Sequence, residues 1–376
     1  MNKPKIIALY LPQFHCIPEN DQFWGKGFTD WVSVKKATPL FKGHNQPIRP
    51  LDDNYYDLSK KESVEWQANL AKENNIYGFG VYHYWFNNDK NILTKPAEIL
   101  RDSTNIKLKY FFIWDNNNWK RSWSNVEGNS WALTEEKTKD KETGLSILIP
   151  FILGSEPDWE NHYNYLRTHF MSPNYEKYNN KPIFCIFWHS KEIEKMCEYW
   201  DKLAKKDGFD GIYIIYKDSY SKLLSKEKQR YTYQPHWSGW HSLSLPQKII
   251  NKLYKIVNYT PKPKPKMKVL NYDNVWNKII RYSTNHKEKE LYHCGFVGYD
   301  DSPRRGKTNA IIVKGGNPDK FKKYFGELYQ IASVQKKEYL FLTAWNEWGE
   351  GAYLEPDTIH GYEYLNAIKN IVSNYQ

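Results

Sequence analysis

Eight short apolar segments recur along the chain of 376 residues, and stretches with helical spacing separate most of them. The segments are rich in β-branched and aromatic residues, a pattern typical of parallel strands covered by helices. The segments span 6–11, 78–85, 108–114, 182–188, 211–216, 231–235, 292–298 and 339–345, and the main helical stretches span 59–74, 96–102, 158–170, 191–206 and 318–335. Eight strands predict a closed (β/α)8 barrel rather than an open doubly wound sheet, and no glycine-rich phosphate-binding fingerprint follows the first strand.

Nearly every predicted strand ends in aromatic residues together with a histidine, an asparagine or a carboxylate. In a barrel these ends meet at one face, where the active sites of this fold lie. Aromatic faces beside hydrogen-bonding groups suit sugars, although a single such residue is also compatible with core packing. The candidate substrate-binding residues are Tyr10, His15, Trp31, His83, Tyr84, Trp85, Trp114, Asn116, Trp119, His236, Tyr299, Trp345, Asn346 and Trp348.

The last predicted strand leads into two glutamates, Glu347 and Glu350, which lie three residues apart. A turn at Gly349 would aim both carboxylates at one cavity, and the neighbouring Trp345 and Trp348 would desolvate one of them and raise its pKa. Glycosidic-bond chemistry needs two such carboxyl groups with different protonation roles. We therefore predict that Glu347 and Glu350 are catalytic. The alternative is a strand end with solvated glutamates and tryptophans that pack in the core.

Other charged residues near the predicted strand ends allow further interpretations. Asp115 and Asp300-Asp301 are the alternative carboxylates if the glutamate pair is inactive. Arg304-Arg305 would bind an anionic substituent or form a solvated turn, and the sequence favours the solvated turn. The strand-end histidines lack the spacing of a metal site, so we expect no metal and no other cofactor.

The net charge of +11 comes from basic residues that are mostly scattered. The exception lies within 248–268, where Lys-Pro alternation excludes a helix and predicts an extended exposed loop. This loop is interpreted as a solvated linker or as a contact with anionic lipid or a phosphorylated glycan carrier. No nucleic-acid-binding module is visible, so we expect no nucleic-acid partner. We predict a single barrel domain over 1–376, with a basic Lys/Pro-rich insertion around 241–290 and further insertions at 17–57 and 120–143.

Two features of the sequence bear on cellular location. The apolar run from Ile6 breaks at Pro12, which is too short for a signal peptide, and no apolar run reaches the length of a membrane helix. The four cysteines show no disulfide or zinc spacing and favour a reducing compartment. We expect a cytoplasmic protein, with peripheral contact at the inner face of the membrane through the Lys/Pro loop as a further hypothesis.

The chain resembles the WbsX family in four motifs. In chain order they are Tyr10-Leu11-Pro12-Gln13-Phe14-His15, Gly25-Lys26-Gly27-Phe28-Thr29-Asp30-Trp31, Tyr82-His83-Tyr84-Trp85-Phe86 and Trp345-Asn346-Glu347-Trp348-Gly349-Glu350-Gly351. Its members are usually labelled glycosyltransferases of surface-polysaccharide gene clusters and are similar to the family 99 glycoside hydrolases. The resemblance implies a (β/α)8 barrel without a metal. It also implies that Glu350 is the general acid/base and that Glu347 assists attack by the sugar's own 2-hydroxyl, with retention through a 1,2-anhydro sugar.

One position departs from the family pattern. Relatives typically carry Asn-Glu-Asn-Trp after the third strand, whereas this chain reads Asn116-Asn117-Asn118-Trp119, so a carboxylate is replaced by an amide.

The leading hypothesis is a cytoplasmic glycan-active enzyme of surface-polysaccharide (O-antigen, capsule or lipopolysaccharide) biosynthesis that acts on an oligosaccharide or a lipid-linked glycan. A retaining endo-glycoside hydrolase and a non-catalytic glycan-binding barrel remain the alternatives. The sequence contains no convincing nucleotide-diphosphate element, which argues against a nucleotide-sugar donor.

Overall fold

The computed structural model describes residues 3–120, 146–218, 228–232 and 267–374. Its main sheet consists of parallel strands with helices between them, which confirms the predicted (β/α)8 class. The barrel strands are β1 (Lys5–Tyr10), β2 (Gly78–Asn87), β3 (Lys109–Trp114), β4 (Lys181–Ile186), β5 (Tyr213–Asp218), β6 (Arg230–Thr232), β7 (Leu291–Tyr292 and Cys294–Phe296) and β8 (Tyr339–Thr343).

The seventh strand closes the barrel with two short segments on either side of His293. Its first segment pairs with β6, where Arg230 is aligned with Leu291. Its second segment pairs with β8, where Cys294 is aligned with Phe341. Because β8 pairs in turn with β1, the strands form a nearly continuous ring whose carboxyl ends share one face.

Buried aromatic and aliphatic side chains fill the barrel interior. The ring of Phe341 lies 4.5 Å from that of Tyr231 and 6.2 Å from that of Phe111, measured between centroids. Gly80 is needed beside them, because a Cβ atom there would lie 2.5 Å from Cδ1 of Ile113. The strands are therefore apolar on both faces, one toward this interior and one toward the helices.

The described helices are α1 (Pro18–Trp24), α2 (Asp30–Lys36), α3 (Lys61–Glu73), α4 (Lys95–Asp102), α5 (Glu156–Phe170), α6 (Lys191–Lys206), α7 (Tyr272–Asn285), α8 (Ser302–Asn309), α9 (Pro318–Val334) and α10 (Glu363–Asn374). Side-chain caps begin several of them. The Ser190 side chain accepts a hydrogen bond from the Ile193 amide at the start of α6, and Asn317 accepts one from Lys320 at the start of α9. Within the described ranges, no helix is long and apolar enough to span a bilayer.

Of the three predicted insertions, the structure describes the one after β1. Its helices α1 and α2 lie at the carboxyl end of the barrel, where α2 packs against α8 and against the turn after β8. The insertion after β3 lies mostly outside the described residues, as does the Lys/Pro-rich part of the insertion after β6.

Candidate active site

The chain after β8 forms a tight turn that carries both predicted catalytic glutamates. Asn346–Glu347 pairs antiparallel with Ala352–Tyr353, and a 3₁₀ turn, Trp348–Glu350, connects them. Gly351 ends the turn in the left-handed conformation, with a φ of 57°, which a glycine adopts without strain. The predicted break in the strand therefore exists, and it places Glu347 and Glu350 on one short segment.

Arg304 joins the two carboxylates. Its Nη2 lies 3.1 Å from Oε2 of Glu347, and its Nη1 lies 2.8 Å from Oε1 of Glu350. This arginine is at the start of α8 and is 7% exposed. One guanidinium thus bridges the two glutamates at the carboxyl end of the barrel.

Asp30, at the start of α2, orients the guanidinium from the other side. Its carboxylate accepts hydrogen bonds from Arg304 Nε at 3.1 Å and from Arg304 Nη2 at 2.9 Å. The same carboxylate accepts a hydrogen bond from the amide of Gly349 at 3.1 Å. A Cβ atom at Gly349 would lie 2.4 Å from Oδ2 of Asp30 and 2.5 Å from Nε of Arg304, so only glycine fits here.

Three carboxylates surround one guanidinium in this cluster, and the excess of negative charge affects protonation. Burial raises the pKa of Glu347 to about 8, the Glu350 charge adds to the shift, and Arg304 opposes it. Burial works against the charged guanidinium, but the neighbouring carboxylates raise the pKa of Arg304 well above its usual range. The side chain of Glu347 is 5% exposed and that of Glu350 is 16% exposed, so Glu350 is the more accessible of the two.

The expectation that Arg304 belongs to a solvated turn was wrong. The guanidinium is buried because carboxylates from two distant segments converge on it, 274 residues away for Asp30 and 46 for Glu350. Arg305 fits a solvated turn better, because its side chain is 39% exposed, and it forms an ion pair with Asp301. Sequence reasoning also missed Asp30, and its position beside Trp31 in a family motif was the only available signal.

A second buried network lies behind Trp348 and accounts for several predicted binding residues. Glu355 accepts hydrogen bonds from Trp348 Nε1 at 2.6 Å, from Tyr56 OH at 2.8 Å and from Gln67 Nε2 at 2.6 Å. The hydroxyl of Tyr10 donates to Gln67 at 2.6 Å. Burial raises the pKa of Glu355 to about 7. The polar ends of Tyr10 and Trp348 are thus occupied within the protein, and the network supports the Trp348–Glu350 turn through the Trp348 side chain.

Trp31 is part of the same support. Its ring lies 5.5 Å from that of Trp348, between centroids, and its Nε1 donates to the Tyr56 carbonyl at 2.9 Å. Because Trp31 directly follows Asp30, this packing also holds Asp30 beside the turn.

Two asparagines at strand ends each bond both the backbone amide and the backbone carbonyl of one residue after a neighbouring strand, and we call these two arrangements the asparagine clamps. Asn346 accepts a hydrogen bond from the Leu11 amide at 2.7 Å and donates one to the Leu11 carbonyl at 3.0 Å. Asn116 makes the same pair of hydrogen bonds with Trp188, accepting from its amide and donating to its carbonyl, both at 2.8 Å. Each clamp joins the ends of two neighbouring barrel strands, so the amide groups of both asparagines serve the scaffold.

His83, Trp85 and Trp114 lie between the barrel and the helices. His83 Nε2 is 2.8 Å from Nε2 of His162 in α5, and the ring of Trp85 stacks on His162 at 4.3 Å. Trp114 donates from Nε1 to the Trp85 carbonyl and packs against Trp200 of α6. Burial lowers the pKa of His83 well below its usual range. The structure therefore does not bring these three residues to the carboxylate cluster.

Tyr84 and Trp119 are members of an aromatic cluster at the carboxyl end of the barrel. Tyr84 stacks on Phe86 at 6.4 Å, Phe86 stacks on Trp119 at 6.0 Å, and Trp119 lies 5.5 Å from Trp24 of α1, all between centroids. This cluster connects the end of β2 with the segments that follow β1 and β3. It is almost fully buried.

The remaining predicted binding residues have separate environments. Trp345 is fully buried, with its ring 5.2 Å from that of Phe79. His15 is buried as well, and burial lowers its pKa. Tyr299 is buried and lines a cavity beside the turn that carries Glu347 and Glu350. His236 lies outside the described residues.

The alternative carboxylates Asp300 and Asp301 lie next to the turn. The Asp300 amide donates to the Glu350 carbonyl at 2.6 Å, and the Asp300 carboxylate is bonded to His44 and Gln46 of the insertion after β1. Asp301 is paired with Arg305, and burial raises its pKa to about 7. Both aspartates hold loops together around Glu350.

The sequence profile of the family described as "Glycosyltransferase WbsX" matches residues 6–368, nearly the whole chain. The chain belongs to the WbsX glycosyltransferase family. The description of this family refers to glycosyl transfer.

A curated relative, the uncharacterized protein WxcX of Xanthomonas campestris pv. campestris, is 27% identical over 378 aligned residues, which cover 98% of this chain and 49% of WxcX. The chain thus spans about half the length of the curated relatives it matches.

Solved structures share the fold of this WbsX-family chain. The family 99 endo-α-mannosidase from Bacteroides thetaiotaomicron superposes with a TM-score of 0.55 at 15% identity, covering 100% of this chain and 98% of the mannosidase. A glycoside hydrolase-like protein superposes with a TM-score of 0.57 at 12% identity. The aligned region covers 99% of this chain and 94% of the chain of that protein. At these identities the likeness concerns the barrel fold.

Asn117, the position expected to depart from the family pattern, lies beside a carboxylate. Its Nδ2 donates to Oδ1 of Asp115 at 2.7 Å. Burial raises the pKa of Asp115, and burial also lowers the pKa of Lys217 on β5 to about 8 while the Asp115 charge opposes that change. A carboxyl group therefore lies beside position 117 and is hydrogen-bonded to the Asn117 amide.

Proposed function

We propose that this chain transfers a glycosyl unit between oxygen atoms of a glycan during the assembly of a surface polysaccharide, with Glu347 and Glu350 as the catalytic carboxylates. Membership in the WbsX glycosyltransferase family supports the reaction class. The observation that carries the residue assignment is the bridge through Arg304, which holds two carboxylates from one turn at the carboxyl end of the barrel. Active sites of this fold lie at that end.

In the proposed reaction the two glutamates have different tasks. Glu350 gives its proton to the glycosidic oxygen as the bond from this oxygen to C1 breaks. Glu347 takes the proton of the 2-hydroxyl, whose oxygen forms a bond to C1 and yields a 1,2-anhydro sugar. An acceptor hydroxyl then attacks C1 and returns its proton to Glu350, while the 2-oxygen recovers its proton from Glu347. Two inversions at C1 give net retention.

The surroundings of the pair support this division. Glu347 is the more buried carboxyl, and its pKa of about 8 makes it a stronger base than an ordinary glutamate once the pH is high enough to ionise it, with Arg304 stabilising the ionised form. Glu350 is three times as exposed, as suits a group that exchanges protons with both leaving and entering oxygens. Arg304 contacts both residues, so a change in the charge of one affects the other.

Hydrolysis is the second candidate, since water in place of the acceptor hydroxyl would give a retaining endo-glycoside hydrolase. The shared fold with the endo-α-mannosidase is compatible with this chemistry. Both candidates use the same residues and differ only in the group that attacks C1.

The test is turnover of mannose-, rhamnose- and fucose-containing glycans by wild type, Glu347→Gln and Glu350→Gln, each with and without an acceptor oligosaccharide. Glu62→Gln is the matched control, because Glu62 is an exposed residue of α3. We expect turnover to fall by about a thousandfold or more in both catalytic variants and to stay unchanged in the control. Products analysed by mass spectrometry and NMR distinguish transfer from hydrolysis and report the anomeric configuration.

Retained turnover in both catalytic variants would overturn the assignment of the glutamates. Glycan binding by wild type without turnover of any glycan, and with equal binding by both variants, would instead indicate a glycan-binding barrel.

A further inference from the structure

A cavity of about 490 Å³ lies beside the catalytic turn, outside the cluster of Arg304 and its carboxylates. It begins at Gly351, the residue after Glu350, and extends between the insertion after β1 and the chain that precedes α10. Its volume is within the range of small-ligand sites. None of the predicted catalytic residues lines it, and of the predicted binding residues only Tyr299 does.

Flat rings form parts of the cavity wall. Phe41 and His44 stack on each other with centroids 4.6 Å apart and planes 16° apart. Tyr353 lines the cavity and stacks at 3.8 Å on Trp348, which directly follows Glu347 in the turn. One wall of the cavity is therefore in direct contact with the catalytic segment.

The polar groups of the lining offer both acceptors and donors. Asp300 accepts hydrogen bonds from His44, Gln46 and the Ser302 amide, which leaves about one of its four acceptor sites. The tautomer of His44 follows from this arrangement, because its Nδ1 accepts from the Leu40 amide and its Nε2 therefore donates to Asp300.

Asp357, like Asp300, accepts three hydrogen bonds, which come from Tyr353 OH and from the amides of Ile359 and His360. Lys314 is exposed at the rim, with its ammonium 4.6 Å from the centre of the Phe41 ring, and adds a charged donor.

The charge balance of the lining selects among ligand classes. Asp300 and Asp357 contribute two negative charges and Lys314 one positive charge, so the lining does not favour an anion. Hydroxyl groups both donate and accept, and they match a lining with spare carboxylate lone pairs and an ammonium group. His44 stacks on the Phe41 ring and the Lys314 ammonium lies 4.6 Å from its centre, so a pyranose whose carbon–hydrogen face packs on Phe41 shares this ring with Lys314.

We propose that this cavity binds a neutral pyranose unit of the glycan, as a saccharide subsite beyond the bond at Glu350. The proposal rests on the proposed function for the identity of the glycan, but the binding of the sugar unit is testable separately. A ligand here contacts Gly351 and Asp300, whose amide is bonded to the Glu350 carbonyl, so occupation of the subsite is coupled to the position of Glu350.

The experiment measures binding of mannose, rhamnose and N-acetylglucosamine to the full chain by ligand-detected saturation-transfer NMR and by titration. Phe41→Ala removes the ring at the wall, and Lys314→Met removes the rim donor. Lys42→Met is the matched control, because Lys42 is exposed on the same loop and does not line the cavity. We expect the affinity for at least one sugar to fall about tenfold in each cavity variant and to be unchanged in the control.

The same variants are then assayed for turnover on the glycan panel. Absence of binding of all three sugars to wild type, or equal binding by wild type and both cavity variants, would overturn the subsite. If wild type turns over a glycan while the cavity variants bind sugars normally, the subsite fails and the proposed function stands. If sugar binding depends on Phe41 and Lys314 but no glycan is turned over, the subsite stands and the proposed function fails. Lys314 is exposed, so loss of binding in its variant is not confused with unfolding.

Discussion

Asp30 accepts two hydrogen bonds from Arg304, one from Nε at 3.1 Å and one from Nη2 at 2.9 Å. This two-point contact fixes the plane of the guanidinium and leaves its Nη1 and Nη2 directed at Glu350 and Glu347. The geometry of the two proposed catalytic carboxylates thus depends on a residue of the insertion after β1, far from them in sequence.

Replacement of Arg304 by methionine leaves three carboxylates without their shared cation. We expect the free energy of unfolding to fall by about 3–5 kcal/mol at neutral pH and turnover to be lost. Denaturant unfolding and the glycan assay measure these effects. Arg305→Met is the comparison, because Arg305 is 39% exposed and contacts Asp301 instead, so its effect should be smaller than that of Arg304→Met. Equal effects of the two substitutions would contradict the role given to Arg304.

The pH profile of turnover tests the protonation of Glu347. Its pKa is raised to about 8, so a base at this position becomes active as the pH rises through 8. We expect turnover to rise with pH near this value. In Arg304→Lys we expect this rise in turnover at higher pH, because a single ammonium stabilises the ionised carboxylate less well than the guanidinium does. Activity that falls through pH 8 would indicate that Glu347 acts as an acid.

Glu355 makes stability depend on pH. Burial raises its pKa to about 7, above its value in the unfolded chain, so between about pH 4.5 and 7 the folded state holds a proton that the unfolded state has released. Stability therefore decreases as the pH rises through this window. Glu355→Gln should flatten the decrease, and Glu62→Gln should not. Urea unfolding at a series of pH values measures the slope, and an identical slope in wild type and Glu355→Gln would refute the prediction.

Gly349→Ala tests the close approach at the turn. The added methyl group would meet Asp30 and Arg304 within 2.5 Å, so the ion pair must move. We expect turnover to fall at least about tenfold, with a smaller loss of thermal stability. Gly326→Ala is the control, since the new methyl group in α9 lies 3.6 Å or more from its neighbours, and alanine favours the helix. Normal turnover in Gly349→Ala would show that the turn tolerates displacement of the ion pair.

The asparagine clamps should contribute to stability rather than to chemistry. Asn346→Ala leaves the amide and carbonyl of Leu11 without their side-chain partner, and we expect a loss of about 1–3 kcal/mol. Asn116→Ala should behave similarly through Trp188. Asn366→Ala, at an exposed position of α10, is the control for both. Thermal unfolding measures the loss, and wild-type stability in both clamp variants would contradict the structural role.

Local pattern was sufficient to predict the barrel and the position of the glutamate pair. Each barrel strand is a short apolar run between helical stretches, and the spacing of Glu347 and Glu350 around Gly349 is a property of one segment. Such features depend on neighbours in the chain, so the sequence contains them directly.

Only the tertiary structure decided which residues meet. Strands buried on both faces have no polar alternation, so the sequence could not tell that His83 and Trp85 point toward the helices. Arg304 and Asp30 are 274 residues apart, and no periodicity links them. The barrel brings the loops after β1, β7 and β8 to one end. There Arg304, which the sequence suggested to lie in a solvated turn, is the buried centre of the site. The physical reason is that the free energy of a buried charge depends on its partners, and closure of the barrel alone determines those partners.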